Sequence, residues 1–320
     1  MRYIDIFNGD ADGILSLLQL RLAQPRESLL VTGVKRDNQL MNNLEYQAED
    51  CITVLDISML KNISGLQRAL ECGASVEYFD HHQAGDIPQH ANLQATIDTA
   101  PDVCTALLVD QHLEGRYHHW AIAAAYGDNL VKTADALANE ARLSIGRRNA
   151  LKELGILINY NGYGTNVSDL HFEPTILFKK LLCYKSPFEV IEDLNSPYHE
   201  LKIAYKNDLT LARGITPYYE SSSVKVVVLP NLPWARRISG VFGNQLANEA
   251  PSQAQLVLTI STDTEASVSL RAPVLSPVGA VDICSTYKTG GGRAGAAGIN
   301  VLSLEQLPKL VQEVENRYKL

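Results

Sequence analysis

Residues 3–13, YIDIFNGDADG, decide the fold class of this chain. The first five of these residues form a short, mainly apolar run, and the next six form a turn rich in glycine and aspartate. Beyond Gly13, isoleucine and leucine side chains recur with helical spacing. We therefore predict a strand, a loop and a helix in this order.

The same alternation continues along the first half of the chain. Further strands are predicted at residues 29–34, 51–55 and 75–79, and a helix is predicted at residues 60–72, with Ser58 as its cap. Strands and helices in this order are typical of a doubly wound α/β domain with a mostly parallel sheet. Such sheets bind ligands at the carboxyl ends of their strands.

Acidic residues and histidines follow three of the predicted strands. Carboxyl ends of parallel strands meet at one edge of a sheet, so we expect these side chains to lie together. A further acid follows the apolar residues 120–125 and is expected at the same edge. The set consists of Asp10, Asp12, Asp56, Asp80, His81, His82 and Asp128.

Each member of this set has an ordinary structural alternative when it is taken alone. Residues 10–13 resemble a common tight turn, and Asp56 could be a simple loop residue or cap. Together, however, clustered carboxylates repel one another unless cations neutralise them. Oxygen ligands with one or two imidazoles suit Mn²⁺ or Mg²⁺ better than Zn²⁺. The sequence therefore predicts a manganese or magnesium site.

Composition limits the function classes. The chain has 320 residues and a formal charge of −8, so it lacks the basic excess of proteins that grip long duplex nucleic acid. Its five cysteines are scattered, which argues against a disulfide framework or a zinc site. There is no apolar run of transmembrane length and no signal-peptide pattern at the N-terminus, so we expect a cytoplasmic protein without a membrane partner.

The second half predicts a smaller α/β domain. A helical connection is expected at residues 195–219, ending at Pro217. The strands expected after it are residues 224–229, 255–261, 266–270 and 299–302, and the helices are residues 239–249, 278–287 and 304–318. The predicted domains are residues 1–190 and 223–320, joined by a helical linker at 191–222.

Two other segments have an unusual composition, but we predict an ordinary structural role for each. The pair His118-His119 has no obvious partner and is expected on the surface. Residues 159–166 are rich in aromatic and amide groups that suit a nucleotide base, but they are predicted to form a plain loop.

Five motifs in this order resemble the DHH/DHHA1 phosphoesterases, and the resemblance covers nearly the whole chain. The motifs are Asp10-x-Asp12-Gly13, Val54-Leu55-Asp56, Asp80-His81-His82, Gly127-Asp128 and the glycine-rich residues 290–298, GGGRAGAAG. The resemblance implies a DHH catalytic domain, a DHHA1 substrate-binding domain and hydrolysis of phosphate esters with two Mn²⁺ ions, with Mg²⁺ as an alternative.

The resemblance also implies roles for individual residues. Asp10 and Asp128 would bind the first metal, Asp12 and His81 the second, and Asp56 would bridge the two. As catalytic residues, His82 would contact the phosphate or protonate the leaving oxygen, and Asp80 would orient the histidines. Substrate binding would fall to Arg271, Gly291, Gly292 and Arg293.

The sequence departs from the family pattern at two positions. Asn8 stands where many relatives have a histidine that binds the first metal and others have an aspartate. Because an amide oxygen brings no charge, we expect a weaker first metal site. Arg293 stands where the family usually has a histidine, and its guanidinium would still bind phosphate.

The resemblance implies a phosphodiesterase that cleaves short oligonucleotides, or linear or cyclic dinucleotides, to mononucleotides. An adenosine 3′,5′-bisphosphate phosphatase and a non-catalytic nucleotide-binding regulator remain alternatives, the latter if Asn8 abolishes the first metal site. The expected partner is a small nucleotide rather than long duplex nucleic acid, and a homodimer is left open.

Overall fold

The computed structural model describes residues 1–319. The chain divides into two compact units, Met1–Ile203 and Ala204–Leu320. The division falls within residues 191–222, the segment that we propose as the linker. This segment holds the whole of a long helix, α9 (Pro197–Arg213), which ends four residues before the predicted end at Pro217.

The first unit is built on the predicted parallel sheet. Its five strands lie in the order β2-β1-β3-β4-β5 and are all parallel. The strands are β1 (Arg2–Phe7), β2 (Leu29–Val31), β3 (Asp50–Leu55), β4 (Ser75–Asp80) and β5 (Leu93–Ile97). The predicted α/β class is confirmed, although β2 stops three residues earlier than expected and β5 was not predicted.

Eight helices precede α9 in this unit. They are α1 (Ala11–Ala23), α2 (Met59–Glu71), α3 (Thr105–His112), α4 (His118–Gly127), α5 (Val131–Glu140), α6 (Ile145–Gly162), α7 (Pro174–Leu181) and α8 (Pro187–Glu192). Because side chains alternate along a strand, β1 faces two layers. Ile4 and Ile6 pack in the same apolar cluster as Leu66 of α2. Asp5 faces the opposite way and forms a buried ion pair with Arg21 of α1.

Three local predictions are wrong in part in this unit. Ser58 precedes α2, but its hydroxyl donates to Gln83 O rather than capping the helix. His118 and His119 are only partly exposed, since His118 pairs with Asp110 at 2.6 Å and the His119 ring packs on Phe188. The predicted loop at residues 159–166 is helical as far as residue 162, because the end of α6 is buried.

The second unit contains a six-stranded mixed sheet in the order β10-β11-β9-β8-β7-β6. Its strands are β6 (Tyr219–Glu220), β7 (Val224–Leu229), β8 (Ala254–Ile260), β9 (Glu265–Arg271), β10 (Gly290–Gly292) and β11 (Ala296–Ser303). Its helices are α10 (Pro233–Glu249), α11 (Ala280–Cys284) and α12 (Leu307–Tyr318). The helix predicted at residues 278–287 is thus only five residues long, and the glycine run contributes a strand that we did not predict.

Within residues 1–319, no helix has the length and apolar character that crossing a bilayer requires. All five cysteines are free.

Close contact between α4 and α6 fixes the position of Asp128, the residue that follows α4. Gly127 and Gly155 meet at this contact: a Cβ added to Gly155 would lie 1.9 Å from Ala123 O and 2.9 Å from Gly127 N. The two helices can therefore approach this closely only with glycine at residue 155.

Gly155→Ala should lower the free energy of unfolding by about 1–3 kcal/mol, the usual cost of overpacking, because the added methyl group would separate α4 from α6. Gly146→Ala, in the same helix, is the matched control. A Cβ there meets no atom within 4 Å, so the better helix propensity of alanine should leave stability unchanged or raise it by up to about 0.5 kcal/mol. Urea unfolding of the two variants measures the difference, and equal effects would contradict this packing account.

Candidate active site

Strand register brings the predicted site residues to one edge of the first sheet. Phe7 lies opposite Leu55, and Leu55 lies opposite Phe79, so β1, β3 and β4 reach the same level. The residues that follow them are Asn8 after β1, Asp56 after β3, and His81 and His82 after β4. Asp56 leaves its strand with a φ of 58°, a left-handed conformation that aspartate tolerates better than most residues.

The carboxylate of Asp12 is fixed by the start of α3. It lies in the first turn of α1, is 1% exposed, and accepts hydrogen bonds from Thr105 N at 2.8 Å and Ala106 N at 2.7 Å. The hydroxyl of Thr105 also lies 3.4 Å from Asp56 Oδ1. The N-terminus of α3 therefore orients Asp12 and touches Asp56, while each carboxylate oxygen keeps a lone pair for another partner.

His81 turns its Nε2 atom toward these carboxylates. Its Nδ1 lies 2.8 Å from the carbonyl oxygen of Val103, which can only accept, so Nδ1 carries the proton. In the neutral ring, Nε2 is then a lone-pair donor to a metal. This atom lies 3.3 Å from Asp56 Oδ1 and 3.7 Å from Asp12 Oδ2. Val103 thus orients His81, not Asp80 as we expected for both histidines.

These groups fit a divalent cation. Asp56, His81 and His82 each offer a ligand atom, and the three atoms lie within 4.8 Å of one another. Burial raises the pKa of Asp56 well above its usual range, and the carboxylates of Asp12 and Asp10 raise it further. Burial also raises the pKa of Asp12. Two buried carboxylates and an imidazole lone pair that face one another form a donor set that a cation would stabilise.

His82 is the most exposed member of this cluster, with 35% of its side chain accessible. Its Nδ1 lies 2.7 Å from Oδ1 of the fully buried Asp80. This contact fixes the ring and leaves Nε2 as its second polar atom. The other oxygen of Asp80, Oδ2, is buried and has no hydrogen-bond partner within residues 1–319.

Two of the three remaining predicted metal ligands, Asp10 and Asp128, lie beside a lysine. Asp10 accepts from Gly13 N at 3.1 Å through Oδ1, and its Oδ2 forms an ion pair with Lys35 Nζ. Asp128 Oδ1 lies 3.9 Å from the same ammonium group. Burial alone would raise the pKa of Asp10, but Lys35 reverses this effect and lowers the pKa. Burial alone would lower the pKa of Lys35, but the negative charge of Asp10 outweighs burial and raises the pKa of Lys35.

Asn8 lies beside this lysine. Its side chain is buried, and Nδ2 donates to the backbone carbonyl of Lys35 at 3.3 Å. Asn8 Oδ1 has no hydrogen-bond partner among the described residues. The asparagine therefore supports the backbone of Lys35 through one side-chain atom and offers an uncharged oxygen through the other.

In the second unit, residues 290–298 form a tight hairpin between β10 and β11. Gly291 pairs with Gly298, and the turn is closed by Arg293 N donating to Ala296 O at 2.8 Å. A Cβ added to Gly291 would meet no atom within 4 Å, so packing does not demand glycine there. The hairpin carries the predicted substrate-binding residues Gly291, Gly292 and Arg293.

Arg271, the fourth predicted substrate-binding residue, ends β9 as expected. Its guanidinium donates through Nε to Asn244 Oδ1 and through Nη1 to Ser269 Oγ at 2.8 Å. A third contact joins Nη2 to Gly240 O at 3.4 Å. Arg271 is therefore held by its own unit, and a direct role with substrate stays a prediction.

Sequence reasoning missed Lys35, which pairs with Asp10, and Asn159, which lies behind it. Asn159 Oδ1 lies 3.3 Å from Lys35 Nζ. The signal for Lys35 was present, because it directly follows the strand predicted at residues 29–34, at the edge where acids were sought. Asn159 carried no such signal, since its segment was interpreted as a loop.

Sequence comparison gives no relative: no family model and no curated protein matches the chain. Comparison with solved structures, in contrast, finds proteins with a similar fold. A structure of exonuclease RecJ bound to manganese superposes with a TM-score of 0.60, at 18% identity, over 99% of this chain and 90% of RecJ. The chain has the DHH/DHHA1 fold. This confirms the fold that the five motifs implied.

Two further structures share the DHH/DHHA1 fold. RecJ from Thermus thermophilus, in complex with Mn²⁺, has a TM-score of 0.57 at 16% identity and covers 99% of this chain. The chain spans about half of that RecJ, 52%. The pGpG-specific phosphodiesterase PggH from Vibrio cholerae has a TM-score of 0.55 at 14% identity, and the match covers 99% of both chains.

Asp56→Asn should stabilise the metal-free protein at pH 7–8. Because folding raises the pKa of Asp56, the folded state holds its proton at pH values where the unfolded state has lost it, and stability falls as the pH rises above about 4. Asparagine has no such proton. The advantage of the variant should therefore shrink as the pH falls towards about 4.5, and Mn²⁺ should raise the Tm of the wild type but not of the variant.

Thermal unfolding in EDTA and in Mn²⁺ measures these effects at about pH 4.5, close to the unfolded-state pKa of aspartate, and at about pH 8, well above it. Asp263→Asn, at an exposed position in the second unit, is the matched control and should behave as the wild type does. A metal-free Asp56→Asn protein that is less stable than the wild type at the higher pH would contradict the account of repelling carboxylates.

Proposed function

We propose that this protein is a divalent-metal phosphodiesterase that hydrolyses short oligonucleotides or dinucleotides to mononucleotides, with Mn²⁺ as the metal. One observation carries the proposal: His81 Nε2, unprotonated in the neutral ring, lies 3.3 Å from Asp56 and 3.7 Å from Asp12. Buried acceptor atoms this close are stabilised by a cation. The DHH/DHHA1 fold, shared with manganese-bound RecJ, supports the choice of metal.

Asp12, Asp56 and His81 would hold the metal. When bound, the ion polarises the phosphate and lowers the pKa of a water molecule. The chain contributes rigidity: two backbone N–H groups at the start of α3 fix Asp12, and Val103 O fixes the ring of His81. Ligands held in this way need no reorganisation during the reaction.

His82 is the proposed general acid. Asp80 accepts from Nδ1, so this contact holds the ring in place and leaves Nε2 as the nitrogen available for proton transfer. The partly exposed ring can then donate from Nε2 to the departing oxygen of the substrate. Asp80 therefore acts as a positioning residue for His82.

A short linear dinucleotide is the proposed substrate. The formal charge of −8 disfavours long nucleic acid, and PggH, which shares the fold over its full length, is described as specific for pGpG. Cyclic dinucleotides are the second substrate class. In the second unit, the hairpin residues Gly291, Gly292 and Arg293 are proposed to bind phosphate, because a guanidinium suits an anion and the space beside Gly291 is open for 4 Å around an added Cβ.

One observation favours a second candidate function. Asn8 provides no charge, and the ammonium group of Lys35 lies against Asp10, both at the first of the two metal sites that the family resemblance implied. If these features prevent turnover, the protein is a nucleotide-binding regulator. That alternative requires dinucleotide binding without any product at millimolar Mn²⁺.

His82→Ala should lower kcat about 10²–10⁴-fold, the usual contribution of a positioned general acid, and should change KM much less. His90→Ala, at an exposed loop residue, is the matched control and should keep wild-type kinetics. The measurement is steady-state hydrolysis of a linear dinucleotide with Mn²⁺. Wild-type kcat in the His82 variant would contradict the assigned role.

A substrate panel tests the proposed reaction itself. Purified protein with Mn²⁺ is incubated with linear and cyclic dinucleotides, five-residue RNA, adenosine 3′,5′-bisphosphate and pyrophosphate, and the products are separated by chromatography. We expect mononucleotides from the linear dinucleotide at the highest rate, and no product in EDTA. Phosphate release from the bisphosphate alone would replace the proposed activity with the phosphatase. Bound dinucleotide without product would establish the regulator.

A further inference from the structure

The ammonium group of Lys35 lies among residues that the family resemblance assigns to the first metal. Lys35 Nζ forms an ion pair with Asp10, lies 3.9 Å from Asp128 Oδ1 and 3.3 Å from Asn159 Oδ1. The ring of Tyr163 lies on another side, with its centroid 5.5 Å from Nζ. Only a quarter of the lysine side chain is exposed. The cation is thus surrounded by two carboxylates, an amide oxygen and an aromatic face.

Hydrogen bonds hold the backbone of Lys35 at this place. Its N–H donates to Gly162 O, at the end of α6, at 2.8 Å. Its carbonyl oxygen accepts from Asn8 Nδ2. Asn8 stands where the family resemblance implies a metal-binding histidine. The loss of that ligand and the presence of the lysine are therefore parts of one arrangement, in which Asn8 supports Lys35.

The two halves of the carboxylate cluster face partners of different charge. Asp10 and Asp128 already face a cation that belongs to the chain. Asp12 and Asp56 face His81, whose nearer nitrogen carries no proton in the neutral ring. A divalent ion between Asp10 and Asp128 would have to displace a partly buried ammonium group and then lie beside it. The uncharged oxygen of Asn8 would do little to offset that repulsion.

We propose that the Lys35 ammonium group takes the place of the first metal, so that the protein binds one divalent ion, at Asp12, Asp56 and His81. Lys35 is then a positioning residue: it neutralises Asp10 and Asp128 and keeps a positive charge beside the single ion. This inference rests on the proposed function for the identity of the metal site. It departs from the two ions that the family resemblance implied.

Metal stoichiometry tests the proposal without reference to activity. Mn²⁺ binding to the full chain is measured by equilibrium dialysis with elemental analysis, and the electron paramagnetic resonance spectrum shows whether the bound ions are magnetically coupled. The wild type should bind one uncoupled Mn²⁺ per chain. Lys35→Arg keeps the charge and should also bind one.

Lys35→Gln combined with Asn8→Asp should create the missing site. Removing the ammonium group and adding a carboxylate beside Asp10 and Asp128 should raise the affinity for a second Mn²⁺ at least about tenfold and produce a coupled pair. Lys132→Gln, at an exposed lysine of the same unit, is the matched control and should bind one ion. If the double variant does not fold, the wild-type stoichiometry still decides the question.

Two coupled ions of similar affinity in the wild type would overturn the proposal, and so would a second tight ion in Lys35→Arg. These results are distinguishable from failure of the proposed function. A protein that binds one uncoupled Mn²⁺ but hydrolyses nothing in the substrate panel supports the role of Lys35 and refutes the phosphodiesterase. A protein that hydrolyses dinucleotides and binds two coupled ions refutes the role of Lys35 and supports the phosphodiesterase.

Discussion

Repulsion among buried carboxylates at one edge of a parallel sheet is the constraint on which the site depends. The register that places Phe7, Leu55 and Phe79 side by side also fixes where the chain leaves each strand. Asp56 follows one of these strands directly, and α1 brings Asp10 and Asp12 to the same edge. Like charges that are held out of water raise the free energy of the folded state unless cations offset them.

The chain meets this constraint in two ways. At Asp10 and Asp128 it supplies its own cation, Lys35, supported by Asn8 and by the end of α6. At Asp12 and Asp56 it supplies only an imidazole nitrogen, and the fixed geometry of α3 and of Val103 keeps that group of donors rigid. An added cation is therefore needed at one half of the cluster and excluded from the other, which is why we assign one ion rather than two.

The sequence predicted the fold and the acidic edge because both depend on local pattern. Apolar runs followed by aspartate predicted β1, β3 and β4, and parallel pairing then brought their ends together. Asn159 was missed because its Asn- and Gly-rich neighbourhood favours a loop, whereas burial of Tyr160 in the core extends α6. The contact of Val103 with His81 joins residues 22 positions apart and leaves no trace in local composition. Lys35 was not predicted because a lysine after a strand carries no metal-ligand pattern, although it lies at the same edge of the sheet as Asp10.

Diffraction at the manganese absorption edge, from crystals grown with Mn²⁺ and a dinucleotide, tests the central claim most directly. We predict one anomalous peak, in contact with Asp12, Asp56 and His81, and Lys35 still bonded to Asp10. A second peak between Asp10 and Asp128, with Lys35 displaced, would contradict the single-ion site, and no peak at His81 would contradict the metal centre itself.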